Sequence, residues 1–289
     1  MSMLKELMLK DYVTLLGTVF GTSVIILSIL GLIYTDIDYW IAFAALMWAG
    51  AMACDLLDGF VARKLNQSNE IGKQIDSLSD AVSFVVAPSI LIMCASLNNE
   101  FSQIGPAIIP KECVMIGVFF LIFFGITRLA WFNVANVGEG YTGITTPMTA
   151  AFLISFYLSH HYFIQLNTFL PGYYNALVPV SYFFSNTLSV TLMLIILGFL
   201  NVATFLRYGK RVQKRRGIWK YLIFIFASFI VVAIIIGRGF MGTSIAKFVA
   251  HLIPLIFIVS LLGYYIYGFI NYLRIKKRGE LKKITPPSN

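Results

Sequence analysis

The chain has 289 residues, of which 58% are hydrophobic and only 12% are charged, and its mean hydropathy is +0.81. This composition excludes an ordinary soluble domain, and several uncharged windows of about 20 residues are long enough to cross a bilayer as helices. The net charge of +9 comes largely from basic clusters beside apolar runs. Such clusters favour anionic lipid over nucleic acid as the partner. We therefore predict an all-α integral membrane protein that binds membrane lipids and no nucleic acid.

Eight apolar segments are candidate transmembrane helices. Residues 1–12 precede them and predict either an amphipathic segment on the membrane surface or the start of the first span. The proline- and aromatic-rich stretch 166–186 predicts either an interfacial loop or a partial re-entrant piece. No internal repeat is found, so we expect one polytopic membrane domain, with a catalytic core over 13–206, extra helices over 218–273 and a basic tail over 274–289. The candidate spans cover residues 13–34, 39–63, 74–97, 112–134, 146–165, 187–206, 218–237 and 248–273.

The basic residues also predict an orientation. Of the 22 lysines and arginines, seven lie in 207–220 and six in 274–283. An even number of spans places both of these segments, the 63–73 turn and the two termini on the same side. By the positive-inside rule this side is the cytoplasm. We therefore expect a multi-pass protein of the cell membrane with both termini inside.

Four aspartates stand at the ends of the second and third spans. Spacings of three and four residues place the members of each pair on one helical face, and the short connection at 63–73 can bring the two faces together. Carboxylates close to a membrane repel one another and need a cation. Ligands that are all oxygen select a hard divalent ion such as Mg²⁺, Mn²⁺ or Ca²⁺ rather than zinc, and such a site suits phosphoryl chemistry. The acids are Asp55, Asp58, Asp76 and Asp80.

Two other interpretations of the acids are weaker. A merely solvated loop does not explain Asp55 and Asp58, which lie several residues inside a span, where an unpaired charge is costly. An ion-coupled transporter also carries carboxylates in its membrane region, but transporters often have duplicated halves. Here the acids lie at one face of the membrane and no repeat is found.

The full pattern D-x2-D-G-x2-A-R-x8-G-x3-D-x3-D resembles the signature of the CDP-alcohol phosphatidyltransferases. That resemblance implies a six-helix core, here followed by two C-terminal helices, and a homodimer. It also implies that Asp55, Asp58 and Asp76 ligate two divalent ions, Mg²⁺ or Mn²⁺, and that Asp80 completes the metal site and acts as the general base. The residues implied to contact the CDP part of a lipid donor are Gly59, Arg63, Asn69 and Thr14. The pattern is matched by Asp55, Asp58, Gly59, Ala62, Arg63, Gly72, Asp76 and Asp80.

A second polar segment, GITRLAWFNVANVGEGYTGITTPMTAAF, follows the fourth span. Arg128 and Asn133 lie on the same side as the aspartates, and a fixed cation there can hold the carboxylate of an amino-acid acceptor or a donor phosphate. The alternative for Arg128 is a snorkelling arginine that sets topology. Pro147 can open the fifth span, and glycines predict a tight loop before it, at Gly138, Gly140 and Gly143.

This second segment resembles the RLARFN and G-x-P-x-P/T-x-A segments of the phosphatidylserine synthase branch, with Trp131 in place of an arginine and a single proline. The resemblance implies transfer of a phosphatidyl group from CDP-diacylglycerol, or of the corresponding group from a CDP-activated archaeal lipid, to L-serine. CMP is released, and the product enters phospholipid biosynthesis. Inositol phosphate, glycerol phosphate and choline are the alternative acceptors.

Two further expectations concern packing and the histidines. Thr14, Gly17 and Gly21 stand at the small-residue spacing that favours close helix packing. The three histidines fall near the outer boundary of the predicted spans, so we expect interfacial residues rather than ligands. They are His160, His161 and His251.

Overall fold

The structure is a computed structural model that describes residues 7–34, 37–65, 70–105, 108–134, 141–208 and 244–277. Nine α-helices and two short strands, β1 (Tyr141–Thr142) and β2 (Arg207–Tyr208), make up most of this part of the chain. Asn69, Gly138, Gly140 and the expected span at 218–237 lie outside the described residues. The helices are α1 (Leu9–Ile33), α2 (Ile37–Leu65), α3 (Glu70–Asp80), α4 (Ala87–Leu97), α5 (Val114–Val134), α6 (Thr146–Phe169), α7 (Pro171–Ser185), α8 (Thr187–Val202) and α9 (Ser244–Lys277).

Within the described residues, five helical segments are long and apolar enough to cross a membrane, and a bent pair of helices adds a sixth if it counts as one span. The all-α, multi-pass architecture predicted from composition is therefore confirmed. The pair consists of α7 and α8, which meet at an angle of 54°. Because α7 fills 171–185, this stretch is helical and not a loop, and the bend between α7 and α8 fits either a broken span or the re-entrant piece that the sequence predicts. The five segments are Leu9–Ile33, Phe43–Leu65, Glu70–Leu97, Lys111–Val134 and Lys247–Lys277.

Helix α6 lies at the centre of the fold and is not one of these apolar spans. It carries serines, histidines and a glutamine along its length, yet nearly all of its residues are buried. It packs against α9, α7, α4 and the turn that precedes α4. Polar residues are tolerated along α6 because its neighbours, rather than lipid tails, surround it.

Helix α1 packs closely against α2 and the end of α3, as the small-residue spacing predicts. A Cβ atom on Gly17 would lie 3.1 Å from Cβ of Cys54, and one on Gly21 would lie 2.8 Å from Cα of Ser83. Ser83 Oγ also donates a hydrogen bond to the carbonyl of Gly17 at 3.2 Å. Residues from Leu9 onward belong to α1, so this part of the N-terminal segment is the start of the first span.

A π-helix over Ala81–Val86 joins α3 to α4 without a break. It begins at the residue after Asp80 and ends just before the first turn of α4, which contains Pro88. Single π turns inside α-helices occur frequently at functional sites, where the wider turn shifts the register of the side chains that follow. The third span is thus one continuous helical rod, the α3–α4 rod, made of α3, the π-helix and α4. The register of its side chains changes directly after Asp80.

The two short strands form an antiparallel pair in which Tyr141 faces Tyr208 and Thr142 faces Arg207. Gly143 follows β1 with a φ of 71°, a left-handed conformation that glycine adopts without strain. Pro147 lies in the first turn of α6, where its missing N–H costs no helical hydrogen bond. Both the turn at Gly143 and the opening of α6 at Pro147 agree with the sequence-based prediction.

Candidate active site

Three of the four predicted acids come together between the C-terminal halves of α2 and α3. Asp55, Asp76 and Asp80 each offer a carboxylate oxygen, and these oxygens lie within 4.8 Å of one another. Asp55 and Asp80 are partly buried and Asp76 is exposed. Three negative charges this close repel strongly unless a cation lies between them. The all-oxygen donor set therefore fits a hard divalent ion such as Mg²⁺ or Mn²⁺.

Asp58 lies beside this group, one turn beyond Asp55 on α2, and is buried. Its Oδ2 accepts a hydrogen bond from the hydroxyl of Thr14 at 2.7 Å, and the same hydroxyl lies 3.1 Å from the carbonyl of Lys10. The charged carboxylate is the stronger acceptor of the two. Thr14, which the sequence predicts to contact CDP, therefore joins α1 to the acid-bearing face of α2.

Arg63 lies over Gly59, one turn earlier on the same helix. Its Nη1 is 3.4 Å from the position that a Cβ on Gly59 would take. Arg63 is exposed at the end of α2, so its guanidinium is accessible to a ligand phosphate. A side chain at position 59 would press against this guanidinium and narrow the space beside it.

Asn133 approaches the site from α5, and Arg128 lies five residues earlier on the same helix. Arg128 is 6% exposed, and its guanidinium carbon lies 4.4 Å from the centre of the Phe132 ring. This burial disagrees with the snorkelling alternative, in which the charged group reaches water. The Asn133 Oδ1 accepts a hydrogen bond from the hydroxyl of Ser77 at 2.9 Å. Ser77 follows Asp76 in α3, so the contact places the end of α5 next to the acids.

Sequence reasoning missed two polar residues near the site. Ser79, which precedes Asp80, is buried, and its hydroxyl donates to the carbonyl of Thr14 at 3.1 Å. Asp11 is fully buried at the start of α1, where its Oδ2 accepts from the amide of Met8 at 2.8 Å. This contact is one half of a capping box, but the sequence signature of that motif begins with Ser or Thr, and Met8 is at the cap, so Asp11 left only a weak signal. The role of Ser79 depends on the approach of α1 and left no comparable signal.

The three histidines are buried against neighbouring helices, and their place near the outer membrane boundary stays a prediction. Nδ1 of His161 lies 2.8 Å from Oε1 of buried Glu100, and Nε2 of His160 lies 3.1 Å from the Glu100 carbonyl. Nε2 of His251, on α9, lies 3.1 Å from the hydroxyl of Tyr173 on α7. Glu100 follows α4, at the opposite end of the α3–α4 rod from the acids. These contacts tie α6 to the segment after α4 and α9 to α7, and they belong to the packing of the fold.

Comparison with known proteins bears on the chemistry of the acid group. The family model described as CDP-alcohol phosphatidyltransferase matches residues 7–185, more than half of the chain. The chain belongs to the CDP-alcohol phosphatidyltransferase family. The match covers helices α1 to α7 and all four aspartates. Helix α8, strand β2 and helix α9 lie beyond it.

Curated relatives within this family are named after serine as the acceptor. CDP-diacylglycerol–serine O-phosphatidyltransferase of Methanocaldococcus jannaschii is 33% identical over 155 residues, which cover 54% of this chain and 63% of the relative. Archaetidylserine synthase of Methanothermobacter thermautotrophicus is 35% identical over 159 residues, 53% of this chain and 59% of the relative. The Saccharomyces cerevisiae CDP-diacylglycerol–serine O-phosphatidyltransferase is 32% identical over 163 residues, 53% of this chain and 54% of the relative. The chain therefore spans less than two thirds of the length of each.

Proposed function

We propose that this protein transfers a phosphatidyl or archaetidyl group from a CDP-activated lipid to the hydroxyl of L-serine and releases CMP. The observation that carries the proposal is the convergence of Asp55, Asp76 and Asp80 within 4.8 Å in a member of this family. The names of the relatives support serine as the acceptor. The buried Arg128, on the same helix as Asn133, is a cation suited to the serine carboxylate.

The acid group is proposed to hold divalent metal, Mg²⁺ or Mn²⁺, as two ions. Asp55, Asp76 and Asp80 supply the ligands, and Asp58 contributes from its place beside them. When bound, the metal neutralises the pyrophosphate oxygens of the donor and stabilises the departing CMP.

Substrate binding and proton transfer are assigned to protein side chains. Arg63, accessible above Gly59, binds a phosphate of the CDP group, with Thr14 and Asn69 as further contacts to the nucleotide. Arg128 and Asn133 hold the serine so that its hydroxyl faces the donor. Asp80 takes the proton from that hydroxyl, and the serine oxygen bonds to the phosphorus on the lipid side. The bond from this phosphorus to the oxygen of CMP then breaks.

We infer the orientation of the protein in the membrane from the substrates of the same site. We place the acids, the basic segments and both termini at the cytoplasmic face of the cell membrane, where a soluble acceptor such as serine is available. We also propose a homodimer, on the basis of the family resemblance. Cross-linking in membranes followed by mass determination would detect two copies, and a monomer alone would contradict this arrangement.

The decisive test is CMP release by the purified protein in lipid nanodiscs. CDP-diacylglycerol and CDP-archaeol are offered separately with L-serine, inositol phosphate, glycerol phosphate or choline. We expect release with serine, loss of release on chelation and recovery with Mg²⁺ or Mn²⁺. Release with a different acceptor would refute serine, activity that resists chelation would refute the metal, and no release with any pair would refute phosphatidyl transfer.

A further inference from the structure

Strands β1 and β2 pair next to the start of α6 and the end of α8, and we call this strand pair the clasp. A Cβ atom on Gly143 would overlap the carbonyl oxygen of Asn201, so a larger residue does not fit this turn. The Gly143 amide donates to the carbonyl of Leu206 at 3.1 Å. The hydroxyl of Thr149, in α6, donates to Oδ1 of buried Asn201 at 2.7 Å. The first turn of α6 is therefore fixed to α8 and to β2.

Helix α9 holds this clasp through one of its faces. The buried ring of Tyr208, in β2, stacks on Tyr264 with centres 4.5 Å apart and planes inclined by 9°. A Cβ on Gly268 would lie 2.5 Å from Cζ of Tyr208 and 2.6 Å from its hydroxyl, so glycine leaves the room that the ring occupies. Asn271 Nδ2 donates to the carbonyl of Arg207 at 2.8 Å. Spacings of four and three place these three α9 residues on the same side of the helix.

Helix α5 ends beside the acids and also packs against the helix that the clasp fixes. Helix α5 reaches Val134, and Asn133 accepts its hydrogen bond from Ser77, between Asp76 and Asp80 in α3. Near the clasp, the Phe199 ring of α8 lies 4.5 Å from the Phe124 ring of α5, centre to centre. Helix α5 is thus fastened to α3 at its end and, through α8, to the clasp that α9 holds.

We propose that α9, through Tyr264, Gly268 and Asn271, positions the serine side of the reaction. By fixing the clasp it holds the end of α8, and through the packing of α8 on α5 it holds the helix that carries Arg128 and Asn133. These are positioning residues, because they act on β2 rather than on a substrate. The inference rests on the proposed function, and it gives a role to a helix that lies beyond the end of the family match at residue 185.

The chain offers a matched pair of variants for the test. Gly268→Ala and Gly263→Ala both replace a glycine inside α9 with a better helix former. Among the described residues, no atom lies within 4 Å of a Cβ at position 263, whereas the Cβ at 268 meets Tyr208. Asn271→Ala removes the hydrogen bond to β2 without adding bulk. Each purified variant is measured in nanodiscs for the Kd of the CDP-lipid, the KM for serine, kcat and melting temperature.

We expect Gly268→Ala and Asn271→Ala to raise the KM for serine by about threefold to tenfold, the range that one lost hydrogen bond produces. Donor binding should stay unchanged, and Gly263→Ala should behave as the wild type. An unchanged KM in both variants would overturn the inference. Parallel loss of donor binding and turnover would also overturn it, because α9 would then only support the fold. If Gly268→Ala does not fold, Asn271→Ala decides by the same criteria.

The proposed function is tested separately by the wild type. If the wild type releases CMP with another acceptor and not with serine, the assignment of serine fails. The same comparison of KM values, made with the active acceptor, still decides whether α9 positions the acceptor side.

Discussion

Asp80 occupies the last position of α3, one turn beyond Asp76, and the π-helix begins directly after it. It is partly buried, whereas Asp76 is exposed. Of the two acids on α3, Asp80 is therefore the more enclosed. This difference in position is the reason to separate a proton-accepting role for Asp80 from a purely ligating role for Asp76.

The Asp80→Asn variant should bind the CDP-lipid nearly as well as the wild type but turn over far more slowly. The amide cannot accept the serine proton, and a general base contributes about 10²–10⁴-fold to rate. Asp76→Asn is the matched control and should lose donor binding as well. Equilibrium binding of a fluorescent CDP-lipid and single-turnover CMP release separate the two effects. Equal losses of binding and turnover in Asp80→Asn would make Asp80 chiefly a ligand.

The Arg128→Ala variant should weaken the use of serine far more than donor binding. Its guanidinium is buried, and a fixed cation that binds a carboxylate stabilises the complex by about 1.5–3 kcal/mol, so the KM for serine should rise by at least tenfold. Ethanolamine, which lacks the carboxylate, should not replace serine in the wild type. Normal serine saturation in the variant would leave Arg128 with a structural role.

At the scale of elements, α1 packs against α2 and α3, the two helices that carry the acids, and holds them in place. Thr14 bonds to Asp58 on α2, and the hydroxyls of Ser79 and Ser83 donate to α1 carbonyls. Gly21 permits the close approach that these bonds need. Any change in the α1 packing is therefore transmitted to the helices that carry the acids.

Gly21→Ala should lower both stability and activity. The new Cβ would lie 2.8 Å from Cα and 2.9 Å from Cβ of Ser83, and such overpacking costs about 1–3 kcal/mol. Gly263→Ala, which meets no atom within 4 Å among the described residues, is the control. Thermal unfolding in detergent measures the difference. A melting temperature for Gly21→Ala equal to that of the control would show that α1 is free to move.

The elements that sequence predicts well are those that follow from local spacing. The three- and four-residue intervals of the aspartates define one face of each helix, and Gly17 and Gly21 mark the close contact of α1. The π-helix leaves no such signal, because an apolar run such as Ala81–Val86 has the same composition in either kind of turn. The clasp also leaves no sequence signal, because strands of two residues are too short to show an alternation of apolar and polar side chains. The burial of His160 and His161 arises from helices distant in sequence.

At the scale of the whole molecule, the two ends of the bundle differ in chemistry. The acids, Arg63 and Asn133 lie at one end, whereas Glu100 and the buried histidines lie at the other. The α3–α4 rod that runs between them has 28 residues and spans about 42 Å at roughly 1.5 Å per residue, enough to cross a hydrocarbon core. The proposed orientation therefore assigns the acid end to the cytoplasm and the histidine end to the outside.

Cysteine labelling in intact cells tests this orientation. In a background without the native cysteines, a membrane-impermeant maleimide should miss cysteines introduced at Gln67 and Gln213, both on the proposed inner side. Gln103 follows α4 and is exposed, so a cysteine there should be labelled and serves as the positive control. Labelling at Gln67 or Gln213 without permeabilisation would contradict the arrangement.

The enclosed, polar α6 has a consequence for how the protein is made. The translocon admits a segment by its own apolarity, and α6, unlike α5, is not among the described helices that are apolar enough to span a membrane. In a reporter that presents one segment at a time, α5 should insert and α6 should not. During synthesis α6 must then enter together with an earlier helix. Helix α9, which packs extensively against α6, is synthesised later. Until α9 is in place, the nascent chain therefore exposes polar groups of α6 to lipid.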